Sequence, residues 1–170
     1  ILLNHGFRVS IQTKSTLILR DIDLLLKFRN KVDVGFTLTS LNDKKAKLLE
    51  PCSPPPTERV KVLRLFSDNS LNTWVFIGPL IDFGNKEEFK KDMEILLLNI
   101  KDYVKNIYYD YMRLKPSIYV LDDPYRLLLI KSALNKKNLV RIMENLCIEH
   151  GLKCYPAFSD IKQHRLWETS

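Results

Sequence analysis

The sequence is poor in the residues that build several familiar kinds of protein. Its 170 residues include five glycines and three cysteines, and no apolar run approaches the ~20 residues that a membrane-spanning helix needs. Cys52, Cys147 and Cys154 show no CxxC or CxxxC spacing, which disfavours a secreted disulfide framework and a zinc or cluster site. No GxGxxG follows a strand-like segment, which argues against a dinucleotide fold. These absences predict a cytoplasmic protein without a membrane span.

Positive charge is in excess, but no part of the chain is a basic arm. The formal net charge is +7. Residues 1–85 carry 12 basic and 8 acidic side chains, and residues 86–170 carry 15 and 12. An evenly spread excess is typical of a solubility feature. Contact with nucleic-acid phosphates stays open as an alternative.

Short apolar runs alternate with segments of helical period along the chain. The clearest run, residues 73–77, is almost entirely apolar and β-branched or aromatic, which indicates a strand covered on both faces of a parallel sheet. The pattern as a whole predicts strands near residues 8–13, 34–39, 73–77, 104–110 and 152–158, with five or six helices between them. Such a series forms right-handed parallel units. It predicts an α/β protein, either a free-standing doubly wound sheet or the later part of a (β/α) barrel.

Capping residues and prolines mark where the predicted helices begin. Ser15 or Thr16 precedes one helix, Thr57 follows a proline-rich stretch that cannot be helical, and Asn85 is followed by Glu88 in a capping-box-like start. Cys147 lies on an apolar helix face and Cys154 in a strand-like run. We therefore expect both cysteines to be small core residues.

Polar side chains gather where the predicted strands end, which is where parallel α/β proteins place their sites. The residues at these ends and in the proline-containing loop are Thr13, Lys14, Ser15, Thr39, Ser40, Glu50, Arg59, Gly78 and Pro79. The cations would pair with a carboxylate, Glu50 with an ammonium group, and the hydroxyls with a sugar. The set therefore predicts a site for a small polar zwitterion. Helix capping and solvated loops are the alternative interpretation, which for Ser15 is the favoured one.

No catalytic constellation is recognisable in the sequence. His5, His150 and His164 have no cysteine or serine partner in a known nucleophile pattern. The residues themselves therefore assign no catalytic role.

Four segments, in their order along the chain, resemble the radical SAM proteins of the spore photoproduct lyase-like group, also described as DNA repair photolyase-like. They are TKSTLILRDIDLL, VDVGFTLTSLNDKKAKLLEPCSPPPTERVKVL, NTWVFIGPLI and YYDYMRLKPSIY. The resemblance covers about residues 7–158. Its most specific part is the LLEP…P…ER segment between the TLTS-like and WVFIGP-like strands.

The resemblance implies a fold and a chemistry. The fold is a partial (β/α)6 TIM-like barrel with the parallel sheet inside and the helices outside. Residues 1–158 would hold strand three onward, and residues 159–170 would be a C-terminal tail. Proteins of this group bind a 4Fe–4S cluster and S-adenosylmethionine, which they cleave reductively to methionine and a 5′-deoxyadenosyl radical that abstracts a substrate hydrogen. The electron donor would be a flavodoxin or ferredoxin.

The resemblance also implies roles for the strand-end residues. The matched positions are Thr13, Lys14 and Ser15 at the third-strand end, Thr39 and Ser40 at the fourth, Glu50 and Arg59 in the EP…R segment, and Gly78 and Pro79 at the fifth. In these folds the fourth-strand end faces the ribose or carboxylate of S-adenosylmethionine, and the fifth packs near its adenine. Cys52 stands where the family often has glycine.

The chain departs from the family at the cluster. The three cysteines of the family's CxxxCxxC loop are absent, as is its glycine-rich segment after the second strand. The opening residues 1–6 carry no initiator methionine and resemble the end of a helix, so we expect a fragment of a longer enzyme. We predict that these 170 residues bind no cluster and are inactive alone. A catalytically inactive truncated barrel and a nucleic-acid-associated binding module are the alternatives.

Overall fold

Five strands form one parallel sheet in the computed structural model, which describes residues 1–122 and 125–158. The strands are β1 (Val9–Thr13), β2 (Val32–Leu38), β3 (Asn72–Leu80), β4 (Asn106–Tyr111) and β5 (Cys154–Pro156). Each strand pairs in parallel with the next one along the chain, so the order in the sheet is the order in the sequence. The predicted α/β class is confirmed. The proposed tail, residues 159–170, lies outside the described residues.

Helices occupy the crossovers that parallel pairing requires. They are α1 (Ile22–Lys27), α2 (Asp43–Leu49), α3 (Pro56–Asp68), α4 (Lys86–Ile100), α5 (Tyr125–Leu134) and α6 (Lys136–Glu149). Three 3₁₀ segments, Leu2–His5, Thr16–Asp21 and Pro116–Val120, complete the described elements. None of the helices in these ranges is long and apolar enough to cross a membrane.

The hydrophobic core lies on one face of the sheet. Alternate strand residues such as Phe36, Val75 and Ile107 point into it and are at most 1% exposed. Leu63 of α3 and Leu96 of α4 belong to the same cluster, which also takes side chains from α1 and α6. Because successive side chains of a strand point to opposite faces, the core takes about every second side chain of each strand. Burial of these apolar side chains is the main stabilising term.

The other face of the sheet, here called the open face, carries polar and aromatic side chains. Asp33, Trp74, Phe76 and Tyr108 lie on it, and all four remain partly exposed. The expectation that the third strand is covered on both faces is therefore wrong, since burial alternates along β3 up to Ile77. The aromatic side chains made the segment read as a continuous apolar run. Trp74, however, tolerates a half-exposed position because its indole N–H is polar.

Two of the three predicted helix caps are confirmed. Ser15 Oγ accepts a hydrogen bond from the Leu17 amide at 3.2 Å, and Asn85 Oδ1 accepts one from the Glu88 amide at 3.0 Å. The prediction for Thr57 is wrong, because α3 already begins at Pro56. Proline suits the first position of a helix, where its missing N–H needs no partner. The Thr57 hydroxyl instead donates to Asp43 Oδ2 at 2.9 Å and joins α3 to α2.

Cys147 lies in the hydrophobic core and Cys154 packs against it, as expected, but the two also form a disulfide that was not predicted. Cys147 lies near the end of α6, and Cys154 begins β5. Gly151, with φ of +63°, turns the chain between them, a conformation that glycine adopts at no steric cost. This turn brings the two Cα atoms to 6.1 Å. The disulfide depends on this reversal of the chain after α6, which the spacing of the two cysteines in the sequence does not show.

Replacement of Gly35 by alanine tests how the open face is packed. A Cβ at position 35 would lie 2.2 Å from Cε2 of the Trp74 indole. The indole cannot simply swing away, because its Nε1 donates to Asp33 Oδ1 at 2.7 Å. We expect Gly35→Ala to lower the free energy of unfolding by about 1–3 kcal/mol in urea titrations. In a Trp74→Leu background the same change should cost less than half as much. Equal costs in the two backgrounds would contradict this packing.

Candidate functional site

Three of the predicted site residues form one charged cluster at the carboxyl end of the sheet. Lys14 follows β1, Glu50 follows α2, and Arg59 lies in the first turns of α3. Glu50 Oε2 accepts a hydrogen bond from Arg59 Nη2 at 2.6 Å, and Lys14 Nζ lies 2.8 Å from Glu50 Oε1. The Glu50 carboxylate is thus held between two cations. We call these three residues the Lys14–Glu50–Arg59 cluster.

Arg59 is the buried member of the cluster and is only 1% exposed. Its Nε donates to the Pro54 carbonyl at 2.9 Å, and its Nη1 donates to the Thr37 carbonyl at 2.8 Å. Each guanidinium nitrogen therefore donates within the protein, as a buried charge requires. Arg59 ties the proline-containing loop to the end of β2. This makes it a positioning residue rather than a ligand contact.

Glu50 and Lys14 differ from Arg59 in their access to solvent. The side chain of Glu50 is 6% exposed, whereas that of Lys14 is 44% exposed. Glu50 Oε1 pairs electrostatically with Lys14, but no hydrogen bond of good geometry satisfies it within the described residues. An acceptor of this kind is available to a ligand donor such as an ammonium group or a hydroxyl.

Thr39 and Ser40 follow β2 and are both buried, but their hydroxyls are used differently. Ser40 Oγ accepts a hydrogen bond from the Asn42 amide at 3.0 Å and shapes the turn into α2. Thr39 Oγ1 is buried and has no hydrogen-bond partner among the described residues. A buried hydroxyl without a partner is destabilising, and such groups call for an explanation. A bound ligand that hydrogen-bonds to Thr39 would provide one.

Thr13 and Ser15 serve the local turn after β1. Thr13 Oγ1 accepts a hydrogen bond from the Ser15 amide at 2.9 Å, and Ser15 in turn caps the following 3₁₀ segment. For Ser15 the capping interpretation is confirmed. The turn fixes the backbone from which Lys14 reaches the cluster.

Gly78 and Pro79 follow Ile77, which pairs with Leu38 at the carboxyl end of β2. They are joined by a cis peptide bond inside β3, which continues to Leu80 rather than ending before them. A Cβ at Gly78 would lie 2.5 Å from the Phe76 ring, so glycine is needed for this close approach. Pro79 lines a cavity of about 500 Å³ together with Asp110 and neighbouring residues of β4.

Two polar contacts that position this end of the sheet were not predicted. Asp82, which is 2% exposed, accepts hydrogen bonds from the Gly84 amide and from Asn135 Nδ2, both at 3.2 Å. Lys45 of α2 bridges Glu88 and Asp92 of α4 at 2.6 and 2.5 Å. The DxG pattern after β3 is a local turn signal for Asp82. The partners of Lys45 are more than 40 residues away and leave no local signal.

The ion pair between Lys45 and Glu88 shifts the pKa of both groups. Burial alone would lower the pKa of Lys45, but its hydrogen bonds to Asp92 and Glu88 raise it above the usual 10.5. The same hydrogen bond lowers the pKa of Glu88 below its usual 4.5. Both shifts show that the charged pair is favoured in the folded state.

The described residues do not fit a 4Fe–4S cluster. They contain no group of three or more histidine, cysteine, aspartate or glutamate side chains placed to hold a metal ion. Cys147 and Cys154 are bonded to each other, and Cys52 is exposed. A site-differentiated cluster needs three thiolates in one place. The prediction that the chain alone binds no cluster stays a prediction, which iron analysis after anaerobic reconstitution would test.

The chain is similar to two longer proteins. It is 32% identical over 101 residues to the uncharacterized protein ORF301 of Acidianus two-tailed virus, a match that covers 59% of this chain and 34% of the viral protein. It is 32% identical over 109 residues to the uncharacterized protein MJ0683 of Methanocaldococcus jannaschii, covering 64% of this chain and 39% of that protein. The match thus spans little more than a third of either relative. No family model and no solved structure matches the chain.

Replacement of Arg59 by methionine tests the buried ion pair. Glu50 would lose its main partner in a buried position, so we expect a loss of about 3–5 kcal/mol in the free energy of unfolding. The double variant Arg59→Met, Glu50→Leu should recover part of this loss. As a control, Lys14→Met removes the exposed partner and should cost no more than about 1 kcal/mol. A small effect of Arg59→Met in urea titrations would contradict the central role given to this residue.

The Lys45–Glu88 ion pair makes stability depend on pH. Because the folded-state pKa of Glu88 is lowered, its contribution is present above the usual value of 4.5 and is lost as pH falls through the folded-state pKa. We expect Glu88→Gln to be less stable than the wild type at neutral pH and equal to it in acid. Glu87→Gln is the control, since both residues lie in the first turn of α4. The same pH profile for the two variants would contradict the assignment.

Proposed function

We propose that this chain is the cofactor-binding later part of a radical SAM enzyme, folded as part of a (β/α)6 barrel. The strand order supports this proposal, since each of the five strands lies beside the next one in the chain. A doubly wound sheet reverses its order at a switch point, whereas a barrel adds its strands consecutively. The open face supports it as well, because the inner face of a barrel is free of helices.

The observation that carries the proposal is the unpartnered hydroxyl of buried Thr39 at the same end of the sheet as the Lys14–Glu50–Arg59 cluster. S-adenosylmethionine has a carboxylate, an ammonium group and ribose hydroxyls, which complement a lysine, a glutamate and a threonine. Lys14, Thr39 and Glu50 are the residues that would hold it. Arg59 keeps Glu50 and the loop in place. When bound, S-adenosylmethionine supplies the 5′-deoxyadenosyl group for hydrogen abstraction.

In this proposal the 4Fe–4S cluster is bound by another part of the parent protein. We place its three thiolates and the docking surface for a flavodoxin or ferredoxin in a part of the parent protein beyond these 170 residues. The length of the two relatives supports this division, because the match covers 34% and 39% of them. The chain alone would then bind S-adenosylmethionine without cleaving it. An in-frame CxxxCxxC in the coding sequence before Ile1 is the expected finding, and a stop codon there would contradict it.

The two alternatives make different predictions. An inactive truncated barrel would bind S-adenosylmethionine weakly or not at all. A nucleic-acid-associated module would bind DNA with an affinity that falls steeply as salt rises, because phosphate contacts release counterions. A DNA affinity that is flat from low to moderate salt would exclude the second alternative.

Replacement of Thr39 by valine tests the site itself. Valine has nearly the same shape as threonine and removes an unpartnered buried hydroxyl, so we expect stability to be unchanged or higher. Affinity for S-adenosylmethionine, measured by isothermal titration calorimetry, should fall by about fivefold to tenfold with the lost hydrogen bond. In the complete protein, reductive cleavage of the cofactor should fall as well.

The matched control is Thr57→Val, whose hydroxyl pairs with Asp43 on the surface. This variant should bind S-adenosylmethionine as the wild type does. If Thr39→Val binds the cofactor as tightly as the wild type, Thr39 does not contact it. If Thr39→Val is instead destabilised, its hydroxyl has a structural partner and the proposed role is wrong.

A further inference from the structure

The open face holds a second cavity, of about 500 Å³, which is lined by residues at or near the amino ends of β1 to β4 and by Ala157 and Phe158 after β5. Its lining comes from strands and from residues that flank strands, and no residue of the described helices takes part. Arg8 precedes β1, Lys31 precedes β2 and Lys105 precedes β4. The Lys14–Glu50–Arg59 cluster follows the opposite ends of the strands. The two sites are therefore separate.

The rim of this cavity is positively charged. The side chains of Arg8, Lys31 and Lys105 line it and are exposed, and none of them forms an ion pair with another described residue. Asp33 is the one carboxylate among the lining residues of this cavity. It is already engaged, because its Oδ1 accepts from Trp74 Nε1 at 2.7 Å and from the Ser10 hydroxyl. The charge balance favours an anionic group.

The floor of the cavity is aromatic and is held in a fixed position. The Trp74 indole covers Gly35, where a Cβ would meet ring atoms at 2.2 to 2.4 Å, and Asp33 anchors its N–H. Tyr108 stands at 90° to the indole, with the ring centroids 5.4 Å apart. Two rings in this arrangement offer a face and an edge to a planar ligand. The amide side chains of Asn72 and Asn106 line the same cavity and can read the edge of a heterocycle.

We infer that this cavity binds a nucleoside monophosphate, with the base against Trp74 and Tyr108 and the phosphate among Arg8, Lys31 and Lys105. The volume lies within the range of small-molecule sites. S-adenosylmethionine does not suit this rim, because its sulfonium is positive and it carries no phosphate. The inference involves the other end of the sheet and other residues than the proposed function, on the face that the proposed barrel would enclose.

Fluorescence of Trp74 gives a direct test with AMP as the probe. The chain has two tryptophans, so Trp167→Phe leaves Trp74 as the reporter. We expect AMP to change the Trp74 emission with saturation below about 10 mM. Adenosine and inorganic phosphate, titrated separately, should each bind at least about tenfold more weakly, because each offers only half of the contacts.

Charge-removing variants assign the phosphate contacts. Lys31→Gln and Lys105→Gln should each weaken AMP binding by about fivefold, whereas Lys91→Gln, an exposed lysine of α4 away from the cavity, should leave it unchanged. All three positions are exposed, so the variants are expected to fold. The absence of an AMP-dependent signal, equal losses in all three variants, or phosphate binding as tight as AMP binding would each overturn the inference.

Discussion

The buried Arg59 guanidinium is the contact on which the arrangement of the carboxyl end of the sheet depends. It joins the Thr37 carbonyl near the end of β2, the carbonyl of Pro54 and the carboxylate of Glu50 through three separate nitrogens. A buried charge is tolerated only when its donors are satisfied. The loop, the helix start and the strand end must therefore keep their relative positions for Arg59 to remain in place. Lys14 then meets a carboxylate that is already oriented.

The two faces of the sheet differ in role, since one holds the core and the other carries the proposed nucleotide cavity. One face is enclosed with the helices in a single apolar cluster, whereas the other presents Asp33, Trp74 and Tyr108 to a cavity. A side-chain period of two along each strand makes this division possible. We therefore expect substitutions on the open face to affect the proposed nucleotide binding more than the core. Gly35 is an exception, because the indole of Trp74 occupies the space that a Cβ would take.

The two candidate sites lie at opposite ends of the same strands and differ in charge. At the carboxyl end Glu50 offsets the cations, so the site suits a zwitterion. At the amino end Arg8, Lys31 and Lys105 line a cavity whose single carboxylate already has partners. The +7 charge of the chain is evenly spread in sequence, yet the fold gathers three of its cations around one cavity. Charge counted along a sequence does not reveal that these three cations meet in the fold.

The sequence by itself determined the α/β class, the approximate positions of the strands and the caps at Ser15 and Asn85, because periodicity and capping act over a few residues. It also placed Lys14, Glu50 and Arg59 near one another, since strand ends of a parallel sheet meet at one edge. Only the tertiary structure decided that Arg59 is buried, that Thr39 Oγ1 has no partner and that Cys147 pairs with Cys154. These properties depend on contacts between separate elements. The fold creates those contacts, and no local pattern encodes them.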